Sequence, residues 1–155
     1  MGSRALTDGD ARLGSGLPLA SWALLVIVAT LGGLSALWVA LVPAAGQTTL
    51  DGRTWQQFAT TDPEVASIVA RLLVVLGLLG AGFGAVAAMV TLFAYRGGAR
   101  WAWVALILVP LVYGAIAIRQ FADAYPVAYF YAGLAVVAVV ALVIPVRRFI
   151  SADST

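Results

Sequence analysis

The segment "LLVVLGLLGAGFGAVAAMVTLFAY", residues 72–95, runs for 24 residues without a charged side chain. A helix rises about 1.5 Å per residue, so roughly 20 apolar residues are enough to cross about 30 Å of hydrocarbon. Strands are excluded as spanning elements because lipid cannot satisfy the hydrogen bonds of an open sheet edge. Three further apolar runs of comparable length occur at residues 19–42, 101–118 and 127–146. We therefore predict an all-α fold, a four-helix transmembrane bundle.

The composition indicates a membrane protein and excludes several kinds of catalytic site. Hydrophobic residues make up 63% of the 155 residues and charged residues only 10%, which is far from the balance of a soluble domain. The chain has no Cys and no His, so disulfides, thiolate catalysis, haem ligation by His, the usual zinc sites and a Ser-His-Asp triad are excluded. We predict no cofactor, no metal site and no catalytic residue. The arginines are scattered and do not indicate binding to nucleic acid.

The distribution of arginine predicts which side of the membrane each segment faces. The predicted segments are a tail at 1–18, helices at about 19–42, 63–95, 101–119 and 126–146, a loop at 43–62, and a tail at 147–155. With both tails in the cytoplasm, the cytoplasmic segments hold six arginines and the outer segments three. Because cytoplasmic loops are enriched in basic residues, we predict a multi-pass protein of the cell membrane with both termini inside. The first run, at about 24 residues, is longer than the roughly 7–15-residue core of a secretory signal, so we expect it to be retained.

The outer loop at residues 43–62 is much longer than the usual two-to-eight-residue link of a helical bundle. Thr54 is predicted to cap a short helix within it that carries Trp55 and Phe58 on one side. This pattern is typical of an interfacial helix lying on the bilayer surface. Long ordered loops often carry function, so we expect the short helix to cover the bundle on its outer side.

The sequence places the start of the second helix well before the apolar run at residues 72–95. Asp62 fits an N-cap, Pro63 the first helical position, and Glu64 the first turn, where the helix dipole favours an anion. A helix from Pro63 to Tyr95 would be about 33 residues and about 49 Å long, which exceeds the roughly 30 Å hydrocarbon core. Its first turns must project outward, or the helix must tilt.

The second helix also carries a face of small residues. Gly80 and Gly84 have GxxxG spacing, which Ala88 extends by another turn, and such a face lets a second helix approach closely in the membrane. The partner helix could belong to the same chain or to a second copy of the protein, and the sequence leaves both open.

The third helix has a sharp entry and a proline in its interior. The segment "RGGAR", residues 96–100, predicts a tight turn, and Trp101 and Trp103 follow it at the level where an aromatic belt is expected. Pro110 removes an amide donor, which should leave the carbonyl of Leu106 without its helical partner and kink the helix.

Ionisable and aromatic residues are concentrated on the predicted outer side. One interpretation is that these charges form interfacial salt bridges, with Glu64 reaching Arg71 and Arg119 reaching Asp123, each worth about 0–1 kcal/mol if exposed. The other is that Arg71 and Arg119 bind an anionic or carbonyl head group with bidentate geometry. Tyr113 lies within the hydrocarbon by these boundaries, so its hydroxyl needs a partner, either a backbone carbonyl or a ligand. The candidate residues for binding a ligand or partner are Trp55, Asp62, Glu64, Arg71, Tyr113, Arg119, Asp123 and Tyr125.

Two motifs give the chain a resemblance to a known group of sequences. Trp55 is followed after six residues by Asp62-Pro63, and "GARWAW", residues 98–103, opens the third helix. This order resembles that of small, uncharacterised bacterial integral membrane proteins with four helices, over roughly residues 55–110. The resemblance implies the four-helix fold and carries no catalytic residue across.

The function favoured by the sequence is non-catalytic binding of a lipid-like ligand or a membrane partner protein at the outer face. The alternative is a small membrane enzyme acting on a lipid or isoprenoid, with Asp62, Glu64 or Asp123 as acid or base. A third option is an oligomeric transporter, which is weakened because no ionisable residue lies near the middle of a span. The expected partners are the lipid bilayer, a lipid-like ligand, and a membrane protein or a second copy of this chain.

Overall fold

The structure is a computed structural model that describes residues 17–42, 54–122 and 126–147. Helices hold 88% of the described residues, and no strand occurs among them. The helices are α1 (Leu19–Leu41), α2 (Trp55–Thr61), α3 (Pro63–Val90) with a π-helical extension (Thr91–Tyr95), α4 (Arg100–Leu106), α5 (Leu108–Ala122) and α6 (Ala128–Val143). The chain divides into a central unit, Ala29–Val86, and a terminal unit, Met1–Val28 with Ala87–Thr155. The two units are described separately.

Three helical stretches are long and apolar enough to cross a membrane: Leu19–Leu41, Pro63–Tyr95 and Arg100–Ala122. Many of their large apolar side chains face outward, for example Phe93 at 79% exposure and Ile118 at 73%. An outward apolar surface of this extent would be unfavourable in water and is what lipid covers. The all-helical fold is therefore confirmed, and three helices have the length and composition of membrane spans.

The fourth apolar run forms a shorter helix than the sequence predicts. α6 has 16 residues, which correspond to about 24 Å of helix against a hydrocarbon core of about 30 Å. Pro145 accounts for the early end, because it lacks the amide hydrogen that would continue the helical ladder. α6 is therefore shorter than the three candidate spans.

The central unit contains the capped short helix and the start of α3. Thr54 and Gln57 form a capping box, in which the Gln57 amide donates to Thr54 Oγ1 at 3.3 Å and the Thr54 amide to Gln57 Oε1 at 2.9 Å. α3 begins at Pro63, and its first bond runs from the amide of Ala66 to the carbonyl of Asp62 at 2.9 Å. The local chemistry of caps and proline is sufficient to determine both helix starts.

The glycines of α3 lie directly against the backbone of α1 within the central unit. A Cβ atom on Gly84 would lie 2.6 Å from the carbonyl oxygen of Ala29, and one on Gly77 would lie 2.6 Å from that of Ala36. A Cβ on Gly80 would lie 2.7 Å from the Cβ of Ala36. α1 is therefore the helix that packs against Gly80 and Gly84. Ala88 belongs to the terminal unit.

In the terminal unit, α3 ends in a π-helical turn. Thr91 Oγ1 donates to the Ala87 carbonyl at 2.7 Å, and the amide of Arg96 bonds the Thr91 carbonyl at 2.9 Å, five residues back. The wider turn changes the direction of the side chains that follow it, and Tyr95 is completely buried. Gly98 then turns the chain with a φ of 83°, a conformation that favours glycine.

The third span is interrupted just before Pro110, as the sequence predicts. α4 ends at Leu106 and α5 begins at Leu108, and the Ile107 amide bonds the Val104 carbonyl at 3.2 Å, only three residues back. Pro110 cannot donate to the Leu106 carbonyl, so the regular ladder fails at this point. After the interruption, α5 packs along α6.

The glycine contacts lead to a test with two alanine substitutions on the same helix. Gly84→Ala should lower the free energy of unfolding by about 1–3 kcal/mol, because the new Cβ would overlap the backbone of α1. Gly82 has nothing within 4 Å of the position of a Cβ. Gly82→Ala should therefore be neutral or slightly stabilising, since alanine favours the helix. Denaturant titration of both variants in one detergent measures the difference, and an equal loss would contradict the packing described here.

Candidate functional site

The residues predicted to form one outer site fall in different parts of the structure. Trp55, Asp62, Glu64 and Arg71 belong to the central unit, and Tyr113 and Arg119 belong to the terminal unit. Asp123 and Tyr125 lie outside the described residues. The structure therefore shows two local groups, one in each unit, and their chemistry is considered group by group.

In the central unit, the predicted site residues lie on α2 and the first turns of α3. Trp55 is half-buried, and its ring centroid lies 5.9 Å from that of Phe58 on the same helix. Asp62, Glu64 and Arg71 are all exposed. The exposed Arg71 is therefore accessible from outside the protein.

In the terminal unit, aromatic rings join α5 to α6 near Arg119. Tyr113 is buried, and its ring stacks on that of Tyr131 with the centroids 6.2 Å apart. Closer to the end of α5, the rings of Phe121 and Tyr129 meet edge to face at 5.0 Å. Tyr129 nevertheless remains 74% exposed, and Arg119 is exposed in the last turn of α5. We call Arg119, Phe121 and Tyr129 the aromatic end of the terminal unit.

A buried pair of hydroxyl groups lies elsewhere in the terminal unit, and the sequence analysis did not single it out. Ser21 Oγ lies 2.6 Å from the Tyr95 hydroxyl and donates to the carbonyl oxygen of Ala141 at 2.7 Å. The Tyr95 hydroxyl also lies 3.2 Å from the same carbonyl. Ser21 and Tyr95 are both fully buried. The Ala141 carbonyl oxygen on α6 thus lies within hydrogen-bond distance of hydroxyls on α1 and on the π-helical turn.

The Ala141 carbonyl needs a side-chain donor because the residue four positions later is Pro145. In an α-helix, the carbonyl of residue 141 accepts from the amide of residue 145, and Pro145 has no amide hydrogen. Each hydroxyl carries one proton. The short distances are satisfied together if Ser21 donates to Ala141 and Tyr95 donates to Ser21. The pair therefore completes the hydrogen bonds of a broken helix end.

Trp103 makes a second contact with the same end of α6. Its indole Nε1 donates to the carbonyl oxygen of Leu142 at 3.0 Å, and the side chain is half-buried. Trp101 differs, because it is 61% exposed. The sequence predicts belt positions for both tryptophans, whereas Trp103 also forms a hydrogen bond between helices.

An arginine and a tryptophan meet next to the buried hydroxyls. The Cζ atom of Arg96 lies 5.1 Å from the ring centroid of Trp22, within the range of a cation–π interaction. Arg96 remains exposed, so its guanidinium can stack on the ring and still present donors to solvent or to a head group.

Sequence reasoning missed these contacts, although part of the signal was present. Pro145 identifies Ala141 as a carbonyl without a helical donor, just as Pro110 identifies Leu106. The sequence does not show which distant side chains supply the donors, because Ser21 lies 120 positions from Ala141. Only the folded chain can identify Ser21 and Tyr95.

The described residues offer hydrogen-bonding and cationic groups, but no assembled set of metal ligands. No group of three or more His, Cys, Asp or Glu side chains in the described part of the chain could hold a metal ion. The two described carboxylates, Asp62 and Glu64, are exposed at the start of α3. This chemistry is suited to holding helices together and to binding anionic or carbonyl groups.

Comparisons of the chain with protein-family models, with curated proteins and with solved structures found no match. The resemblance to small four-helix membrane proteins therefore stays an expectation, and the function must be argued from the residues themselves.

The role of Pro145 can be tested by restoring the amide that it lacks. The double variant Ser21→Ala/Tyr95→Phe removes the Ser21 donor to Ala141 and the Tyr95 hydroxyl that supports it, and should cost about 1–3 kcal/mol of unfolding free energy. In a Pro145→Ala background the new amide can serve the Ala141 carbonyl, so the same pair of substitutions should cost less. Unfolding titrations measure the cost of the double substitution in both backgrounds. They use the unmodified protein, the double variant, Pro145→Ala and the triple variant. Ser67→Ala, an exposed serine on α3, is the control and should change little. An equal cost in both backgrounds would show that the hydroxyls do not substitute for the missing amide.

Proposed function

We propose that this chain is a non-catalytic, four-span protein of the cell membrane that binds a lipid-like ligand at its outer face. Both termini lie in the cytoplasm in this proposal. The observation that carries it is the aromatic end of the terminal unit, where Arg119 occurs with the exposed Tyr129. Arginine can bind phosphate or carboxylate through two parallel hydrogen bonds, and tyrosine adds a hydroxyl at head-group depth.

The aromatic end is suited to binding because part of it is held in position before a ligand arrives. The edge-to-face contact of Phe121 with Tyr129 ties the last turn of α5 to the first turns of α6. Deeper in the unit, the stack of Tyr113 on Tyr131 supports the same pair of helices. A preorganised surface loses less side-chain entropy when a ligand binds. These contacts favour a lipid head group as the occupant.

The fourth span and the orientation are supported by the sequence and by the ends of α6. Turns flank α6 at residues 126–127 and 144–145, and helical geometry resumes at 146–147. These flanks add length to a helix of about 24 Å, and a short span is also accommodated by local thinning of the bilayer. The excess of arginine in the predicted cytoplasmic segments supports termini on the inside.

The central unit has its own arginine that is proposed to lie near the membrane surface. The stretch Pro63–Tyr95 has 33 residues, about 49 Å of helix, so its first turns extend beyond the hydrocarbon or the helix tilts. Arg71 is exposed about two turns after Pro63. α2, with Trp55 against Phe58, is proposed to lie at the membrane surface as an interfacial helix. Each unit thus offers one arginine that can meet an anionic or carbonyl head group.

Two other candidate functions rest on different chemistry. A lipid-modifying enzyme would need carboxyl groups converging on an apolar cavity, whereas the described carboxylates Asp62 and Glu64 are exposed. A membrane partner protein, or a second copy, could instead use the outer face. Gly80 and Gly84 do not favour a second copy, because α1 already packs against them.

The proposed outer site predicts which variants lose bound lipid. Arg119→Ala and Arg71→Ala should each bind lipid more weakly than the unmodified protein by about tenfold or more and so retain less of it, because a charge-assisted hydrogen bond is worth about 1.5–3 kcal/mol. Arg119→Lys keeps the charge without the two-pronged geometry and should fall in between. Native mass spectrometry of the detergent-extracted proteins counts the retained lipids and reports partner subunits in the same spectra.

Gln120→Ala is the control, since it alters a neighbouring polar side chain without changing charge. Equal lipid retention in all variants, with equal thermal stability, would remove the case for an outer lipid site. A protein subunit lost specifically from the arginine variants would support the partner-protein alternative.

A further inference from the structure

We propose a second lipid site, at the opposite end of the terminal unit, that binds the phosphate of an anionic phospholipid. The site consists of Arg96, Arg100 and Arg147, with Arg96 stacked on Trp22. We call this group the arginine end. It lies outside the predicted outer face and goes beyond the function proposed above.

The hydrogen bonds of the terminal unit place these arginines at one end. The Tyr95 hydroxyl, next to Arg96, lies 3.2 Å from the Ala141 carbonyl on α6. The Trp103 indole, one turn after Arg100, donates to the adjacent Leu142 carbonyl. Arg147 follows the same helix end by a few residues. The end of the π-helical turn, the beginning of α4 and the end of α6 therefore meet where the three arginines occur.

The aromatic end of the unit lies about one membrane thickness away. Arg119 follows Arg100 by 19 positions within the span Arg100–Ala122, which corresponds to about 28 Å of helix. The hydrocarbon core is about 30 Å thick. Arg100 and Arg119 thus belong to opposite head-group layers, and the arginine end is a separate site.

The described residues of the terminal unit carry basic but no acidic side chains. The described residues of the terminal unit include Arg96, Arg100, Arg119 and Arg147 and no Asp or Glu. Arg96 and Arg147 are exposed. Each basic residue near a membrane surface contributes about 1 kcal/mol of attraction to anionic lipid. A lipid phosphate is the anion that this end of a membrane helix bundle meets at high local concentration.

The contact between Arg96 and Trp22 gives the site a fixed element. The Cζ atom of Arg96 lies over the Trp22 ring, 5.1 Å from its centroid, and a guanidinium held in this way has further N–H groups that can donate to a phosphate. Holding the long arginine side chain in advance lowers the entropy lost when phosphate binds. The adjacent exposed Trp101 adds an amphipathic ring at head-group depth.

The test is a competition between two lipids for the purified full-length protein. The protein is equilibrated in detergent with equal amounts of phosphatidylglycerol and phosphatidylcholine that have the same acyl chains, and native mass spectrometry measures the ratio of retained lipids. The unmodified protein should retain phosphatidylglycerol in preference. Arg96→Ala and Arg147→Ala should each reduce that preference by up to about fivefold. Trp22→Leu should reduce it less, because it removes the stacking ring and leaves the charge.

Gln56→Glu is the control, because it lowers the net charge by one unit, as each arginine variant does, at an exposed position on α2. It should leave the lipid ratio unchanged. The proposal is overturned if the unmodified protein shows no preference, if Gln56→Glu loses as much as Arg96→Ala, or if neither arginine variant changes the ratio. Displacement of the lipid by added inorganic phosphate would also overturn it, since the site would then be one for a soluble anion.

Discussion

Pro145 lacks an amide hydrogen, and the hydrogen bonding of the terminal unit is organised around that missing donor. The Ala141 carbonyl, which would have bonded residue 145 in a regular helix, accepts instead from Ser21 Oγ at 2.7 Å. The Tyr95 hydroxyl supports Ser21 at 2.6 Å. A buried carbonyl without a donor costs about 1–3 kcal/mol. The two hydroxyls offset this cost, and in doing so they tie α6 to α1 and to the end of α3.

The central unit is held by a different interaction, which also follows from the lipid environment. Lipid tails are as apolar as leucine side chains, so burying leucine between two helices gains little in a membrane. Close approach of the backbones restores a favourable packing energy, and Gly77, Gly80 and Gly84 on α3 allow it against α1. The larger apolar side chains, such as Leu79 at 66% exposure, face outward. Small residues inside and large residues outside are the reverse of the pattern in a water-soluble bundle.

The sequence was most informative where the physical cause is local. The cap at Thr54, the start of α3 at Pro63 and the interruption before Pro110 depend on a few neighbouring residues, and the structure has all three. The length of the fourth helix was overestimated, since hydropathy counts Pro145 within the run but a proline ends the hydrogen-bond ladder. The predicted site was harder to locate. Tyr113 stacks on Tyr131, and a pairing of rings across two helices cannot be obtained from the spacing along either one.

The sequence by itself determined that the chain is helical and has helices long and apolar enough to span a membrane, because lipid permits few solutions for long runs of apolar residues. It also determined where charge and proline occur along each span. Only the tertiary structure decided which helix packs against the glycine face, which hydroxyls serve the Ala141 carbonyl, and that Arg96 stacks on Trp22. These contacts join residues far apart in the chain. Their selection depends on the way the helices pack in three dimensions, for which the spacing along a single helix contains no information.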